Sequence, residues 1–214
     1  MVVEPICYEK ACGKEEWESF VKEELDSIER NNMWELVDLP QGKESIGVKW
    51  VYKVKCNANG SVHKYKARLV VKGYVQKYGI DYLETFSPVA RFETIRFIVA
   101  LAAHMKWKVF QFDVKSAFLN GNLEEDVYVK QPHGFVIDGK QEKVYKLKKA
   151  LYGLKQALRA WYARLDLYLH QSDFCRSESE PTLYVKVKGI DMLIICVYVD
   201  NIIYTGSSYS RIQE

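Results

Sequence analysis

The sequence predicts an α+β fold on three observations. Stretches with apolar residues at helical spacing share the chain with short segments in which apolar and polar side chains alternate. An Asn-Gly pair joins two of those alternating segments as a hairpin turn would. Neither an internal repeat nor a low-complexity linker divides the 214 residues, so one interwoven unit is expected after an N-terminal tail of residues 1–14. With 48% hydrophobic residues the chain is long enough for one large core or two subdomains.

The first helix is expected from Glu15 onward, with Trp17, Phe20, Val21, Leu25 and Ile28 on one face and the acids Glu15, Glu16, Glu18, Glu23, Asp26 and Glu29 mostly elsewhere. Strands at Trp50–Lys55 and Lys64–Lys72 follow, joined through Asn57-Ala58-Asn59-Gly60. In the second, Tyr65, Ala67, Leu69 and Val71 alternate with Lys64, Lys66, Arg68 and Lys72, Val70 excepted, giving one apolar face and one cationic ladder. A helix at about 94–104 turns Ile95, Ile98, Leu101 and Ala102 inward and precedes a strand at Val109–Val114. After a turn at Leu119–Asn122 come strands at Val127–Lys130 and Val144–Lys148, then a helix over about 156–172 with Trp161, Leu165, Tyr168 and Leu169 on its apolar side. The final segments are Leu183–Lys188, Met192–Val199 and Ile202–Thr205.

Tyr198-Val199-Asp200-Asn201 lies between the last two apolar runs, so Asp200 sits at the tip of a hydrophobic hairpin. A carboxylate there loses hydration unless something binds it, and a metal is the usual partner. Asp113 has the same character at the end of its own strand. Side by side, the two would hold divalent metal for phosphoryl chemistry.

The net charge of +3 conceals segregation. Residues 1–38 carry eleven Asp and Glu against four Lys and Arg, residues 43–77 nine bases against Glu44 alone, and residues 140–164 eight bases against Glu142 alone. Such blocks suit contact with a polyanion, and the cationic ladder is a candidate for phosphate contact; solvated basic faces are the plainer alternative. The five scattered cysteines form no CxxC or zinc spacing, which points to reduced thiols. Without a signal-type N-terminus or a spanning apolar run, an intracellular protein of cytoplasm or nucleus is expected, neither secreted nor membrane-bound.

Several blocks carry a family resemblance. They are Gly47-Val48-Lys49-Trp50-Val51-Tyr52-Lys53, Tyr65-Lys66-Ala67-Arg68-Leu69-Val70-Val71-Lys72-Gly73, Gly79 to Val89, Phe112-Asp113-Val114-Lys115-Ser116-Ala117-Phe118-Leu119-Asn120-Gly121, Leu151-Tyr152-Gly153-Leu154-Lys155-Gln156-Ala157, Arg159-Ala160-Trp161-Tyr162, and Tyr198-Val199-Asp200. In this order, from about Glu15 to the end, they resemble the reverse transcriptase of copia-type LTR retrotransposons, close to plant members.

The resemblance implies a right-hand polymerase core, with fingers at about 15–90 and 121–153 and a palm of antiparallel strands backed by helices at about 91–120 and 154–214. The thumb is expected to be absent. It implies RNA-directed DNA polymerisation with Mg2+ or Mn2+ held by the catalytic pair Asp113 and Asp200. It further implies nucleotide-binding roles for Lys66 and Arg68 on the triphosphate, Phe118 as the bulky residue that excludes a 2′-hydroxyl, and Tyr152, Gly153 and Gln156 lining nucleotide and template. The implied partners are an RNA template, a DNA primer, deoxynucleoside triphosphates and the rest of a Pol polyprotein, including RNase H and integrase. Two positions depart from the family pattern. Asn201 stands where the hairpin's second aspartate is usual, and Leu158 where proline is usual. An amide is a weaker ligand for a hard cation than a carboxylate, so impaired polymerisation is expected. A catalytically inactive remnant that at most binds nucleic acid is the alternative.

Overall fold

A computed structural model describes residues 3–207. The chain forms two compact units, one comprising the chain up to Thr85 with Phe118–Ala160, the other Phe86–Ala117 with the chain from Trp161.

In the first unit α1 (Tyr8–Ala11) precedes α2 (Glu15–Arg30). Glu15, Glu16 and Glu18 in the first turn of α2 complement its dipole, and Asn32 in the left-handed region (φ 50°) follows its end. Trp17, Val21 and Ile28 are buried on one face, as their spacing demands, with Phe20 and Leu25 packed alongside. The stretch expected as a tail packs too, since Ala11 is buried and Glu4 accepts from Val54 N (2.9 Å) and Lys53 Nζ (2.9 Å).

After β1 (Trp34–Val37), β2 (Val48–Cys56) and β3 (Val62–Val71) pair antiparallel with Val51 opposite Arg68 and Tyr52 opposite Ala67. Their connection is longer than a two-residue turn: Asn57 N donates to Ser61 O (2.8 Å), and only Gly60 takes a positive φ. A lone two-stranded ribbon is marginal in water, so its apolar face needs a cover. α2 supplies it, with Trp17 edge-on to Tyr52 and Tyr65 at centroid distances of 5.3 and 4.8 Å. The segment from Phe118 adds β5 (Tyr128–Val129) and β6 (Val144–Leu147), which complete a sheet of order β1-β6-β5. Leu69, Leu119, Val127, Leu147 and Leu151 join Trp17 in one core. Among the described residues, ion pairs link the acidic N-terminal block to basic ones: Lys53–Glu4, Lys143–Asp38 and Lys148–Glu35.

The second unit contains α3 (Phe92–Met105) and β4 (Val109–Asp113), most of α4 (Ala157–Gln171), and β7 (Cys175–Arg176), β8 (Leu183–Lys188), β9 (Asp191–Tyr198) and β10 (Asn201–Gly206). Its sheet is antiparallel throughout in the order β4-β10-β9-β8-β7. The inward residues Ile98 and Ala102 of α3 are buried, and Ile98 packs with Ile194 and Cys196 of β9. Burial pushes the Cys196 thiol up to about 11. All five cysteines are free. Among the described residues no helix is long and apolar enough to cross a membrane.

Candidate active site

The register of β9 and β10 sets Asn201 opposite Tyr198, leaving Val199 and Asp200 as a two-residue turn. Val199 lies in the left-handed region at φ 59°, which costs a β-branched residue roughly 1–3 kcal/mol and persists only where neighbours hold it. Two neighbours do. Trp161 Nε1 on α4 donates to Val199 O (2.8 Å), and Val114 N just beyond β4 donates to Asp200 O (2.8 Å).

β4 runs antiparallel to β10 with Asp113 directly opposite Asn201, so their side chains share one sheet face. Gln111, two residues earlier, lies on that face as well, and its Nε2 donates to Asn201 Oδ1 (3.0 Å). Asn201 Nδ2 in turn donates to Asp200 Oδ1 (3.4 Å). Asp113 is exposed and Asp200 half-buried. Neither carboxylate has a basic partner among the described residues, whereas Asp126 holds Lys146 at 2.7 Å. Two hard oxygen donors without a counter-charge suit a divalent cation. No three His, Cys, Asp or Glu gather as a metal cluster among the described residues. In this turn, the place beside the two aspartates belongs to the amide of Asn201.

The remaining candidates belong to the first unit. Lys66 and Arg68 lie on β3 and form no ion pair among the described residues. The Arg68 guanidinium lies over the Tyr152 ring with Cζ 3.8 Å from the centroid, a cation–π contact, and Tyr152 meets Phe118 edge-on at 5.3 Å. Phe118 is thus half-buried against the core. Burial lowers the Lys66 ammonium, and the Arg68 charge adds to that shift. Glu24 on α2 is raised by burial, against the opposing effects of the Leu69 N–H it accepts (3.3 Å) and the charges of Arg68 and Lys66.

Tyr152 O accepts from Val71 N (2.7 Å), tying this segment to β3. Gly153 is required by that approach: φ is +91°, and a Cβ would lie 2.2 Å from Val71 O. Gln156 is buried at 1% exposure and both ends of its amide are internally bonded. Its Oε1 accepts from Gln76 Nε2 (3.1 Å), and its Nε2 donates to Asp81 O (2.9 Å). Gln76 Oε1 accepts from Lys155 N (2.8 Å), completing a buried amide pair between the two segments. A cleft of about 400 Å³ lined by Tyr8, Cys12, Leu25 and Phe135 among others contains none of the candidate residues.

Sequence reasoning misses Gln111, Gln76 and Glu24. Gln111 is accessible to it, because the strand period places that residue on the same face as Asp113; Gln76 bonds a residue 80 positions away and leaves no local signal.

The mixed fold with antiparallel sheets agrees with what the sequence comparisons show: the chain belongs to the reverse transcriptase (RNA-dependent DNA polymerase) family, whose model matches residues 31–214. It is 43% identical over 195 residues to the retrovirus-related Pol polyprotein from transposon TNT 1-94 of Nicotiana tabacum, covering 91% of this chain and 15% of that protein. Over 205 residues it is 43% identical to the Pol polyprotein from transposon RE1 of Arabidopsis thaliana and 42% identical to that from RE2, each match covering 95% of this chain and 14% of the relative. The resemblance to copia-type retrotransposons therefore stands, and the chain spans only 14–15% of the length of these relatives.

Proposed function

We propose that this reverse transcriptase domain carries out RNA-directed DNA polymerisation from deoxynucleoside triphosphates, attenuated by Asn201. The observation that carries this reading is the pairing of Asp113 opposite Asn201, next to Asp200, with neither carboxylate neutralised by a basic side chain among the described residues. Asp113 and Asp200 would hold Mg2+ or Mn2+. The chemistry supplied there would be a lowered pKa at a primer 3′-hydroxyl and neutralisation of the triphosphate and leaving pyrophosphate.

The other roles fall to the protein's own groups. The second unit acts as palm and presents the carboxylates, while the first acts as fingers. Lys66 and Arg68, which form no ion pair among the described residues, offer charge to the triphosphate, with Arg68 steadied on the Tyr152 ring. Phe118 is bulky and braced by Tyr152, which suits steric refusal of a 2′-hydroxyl. Gly153 and Gln156 hold the Tyr152 segment against β3 and the 73–82 loop, so Gln156 acts by positioning. RNA template, DNA primer and the remainder of a Pol polyprotein, with RNase H and integrase, are the partners this reading requires.

Asn201 also favours a second reading, a catalytically inactive remnant that at most binds nucleic acid. Primer extension on an RNA template separates the two. Extension should be measurable, should rise roughly 10–100-fold in Asn201→Asp, and should vanish in Asp113→Asn. Absence of extension in both the native and Asn201→Asp chains supports the remnant. Equal rates in those two chains would refute attenuation.

A further inference from the structure

An asparagine amide is neutral but two-ended, one end an acceptor and the other a double donor. At Asn201 the acceptor end is occupied by Gln111 Nε2 (3.0 Å), and the donor end faces Asp200 Oδ1 (3.4 Å). A cation approaching Asp200 therefore meets the N–H side of the neighbouring amide. To offer its oxygen instead, Asn201 must turn by half a revolution about its terminal bond, which breaks both hydrogen bonds. That cost is partly recovered only if Gln111 inverts as well, so that Gln111 Oε1 accepts from Asn201 Nδ2.

From this geometry we infer that Gln111 is a positioning residue of the cation site: it holds the Asn201 oxygen away from the coordination sphere and so weakens divalent-cation binding at Asp113 and Asp200. The inference rests on the reading of those aspartates as cation ligands. Sheet geometry supports it independently, because Gln111 and Asp113 are on one face of β4 and flank the Asn201 position diagonally and directly. Gln111 Nε2 is a donor only, so an aspartate at position 201 would accept from it with one oxygen and keep the other for the cation. The restraint is therefore specific to the asparagine.

The test is a double-mutant cycle on the 214-residue chain, read as Mn2+ affinity from the electron paramagnetic resonance signal of the free ion. Gln111→Met keeps the side-chain length and removes the donor. It should tighten binding roughly five-fold, the factor equivalent to about one neutral hydrogen bond. In an Asn201→Asp background the same substitution should change binding by less than about two-fold. No change in the native background, or an equal change in both, would overturn the role of Gln111. Asp113→Asn and Asp200→Asn provide the separate control: if both retain the native Mn2+ affinity, the cation-site reading itself fails, and the inference with it. Loss of binding in these controls alongside an inert Gln111→Met would reject Gln111 alone.

Discussion

Gly153 shows how a single residue fixes a site's shape. Its φ of +91° and the 2.2 Å that would separate a Cβ from Val71 O leave no room for a side chain, and the obstacle is backbone rather than a movable chain end. Gly153→Ala should therefore destabilise the fold by roughly 1–3 kcal/mol, read as a lower midpoint in urea unfolding, and should loosen the Arg68–Tyr152 stack. A midpoint equal to the native one would show that the turn adjusts freely. At this scale the sequence is legible where chemistry follows chain order. Asp200 at a hairpin tip, Asp113 at a strand end and the Lys66/Arg68 ladder all stand where the alternation sets them. Gln156 is legible as important but not as buried, because its partners Gln76 and Asp81 come from a loop about 75–80 residues earlier. In the sequence Asn201 is a missing charge; that its amide is held by Gln111 emerges only from the β4–β10 register.

Among the elements, those with several turns or alternations are legible. α2, α3, α4 and the β2–β3 and β9–β10 hairpins lie within a few residues of expectation, since each repeats its period often enough to be distinguished. The four-residue β1 and two-residue β7 are not expected, and neither is α1; a single helical turn carries too little period, and the strand that β1 pairs with lies far along the chain. α2 does more than cover the ribbon. Its Glu24 takes the Leu69 N–H, and burial raises that carboxyl above its ordinary range. A raised carboxyl pKa favours the protonated form in the folded state, so the group's contribution to stability is fully present below its unfolded pKa and is lost as pH rises through the folded value. Glu24→Gln keeps an acceptor for Leu69 N and removes the titration. The difference in unfolding free energy between the native chain and Glu24→Gln should move in favour of the variant as pH rises through that range. A difference that is flat with pH would mean Glu24 is not held in this way.

Across the whole molecule, charge segregation is the sequence feature whose meaning the structure changes most. Taken as blocks, the bases at 43–77 and 140–164 read as polyanion contacts, yet Lys53, Lys77, Lys143, Lys146, Lys148 and Arg159 each pair with a carboxylate. Pairs at such exposed positions contribute little to stability, but they lower the charge available to an incoming phosphate. Lys66 and Arg68 form no ion pair among the described residues, as is also true of Lys49, Lys55, Lys64 and Lys72 in the same block, although half-buried Glu24 interacts with the charges of Lys66 and Arg68. On the proposed reading, the grip on nucleic acid falls to the unpaired bases, Lys66 and Arg68 among them, rather than equally to every base of both blocks. Replacing both with alanine should weaken binding to an RNA–DNA hybrid and reduce the slope of log affinity against log salt by about two, one counterion-release contribution for each phosphate that is no longer neutralised. Replacing the paired Lys143 and Lys148 should leave the slope nearly unchanged, because their charge is already balanced by Asp38 and Glu35. Titrations at several salt concentrations distinguish the cases. Equal slope changes for the two pairs would mean that the blocks act collectively and that ion pairing within the protein does not select the residues that meet phosphate.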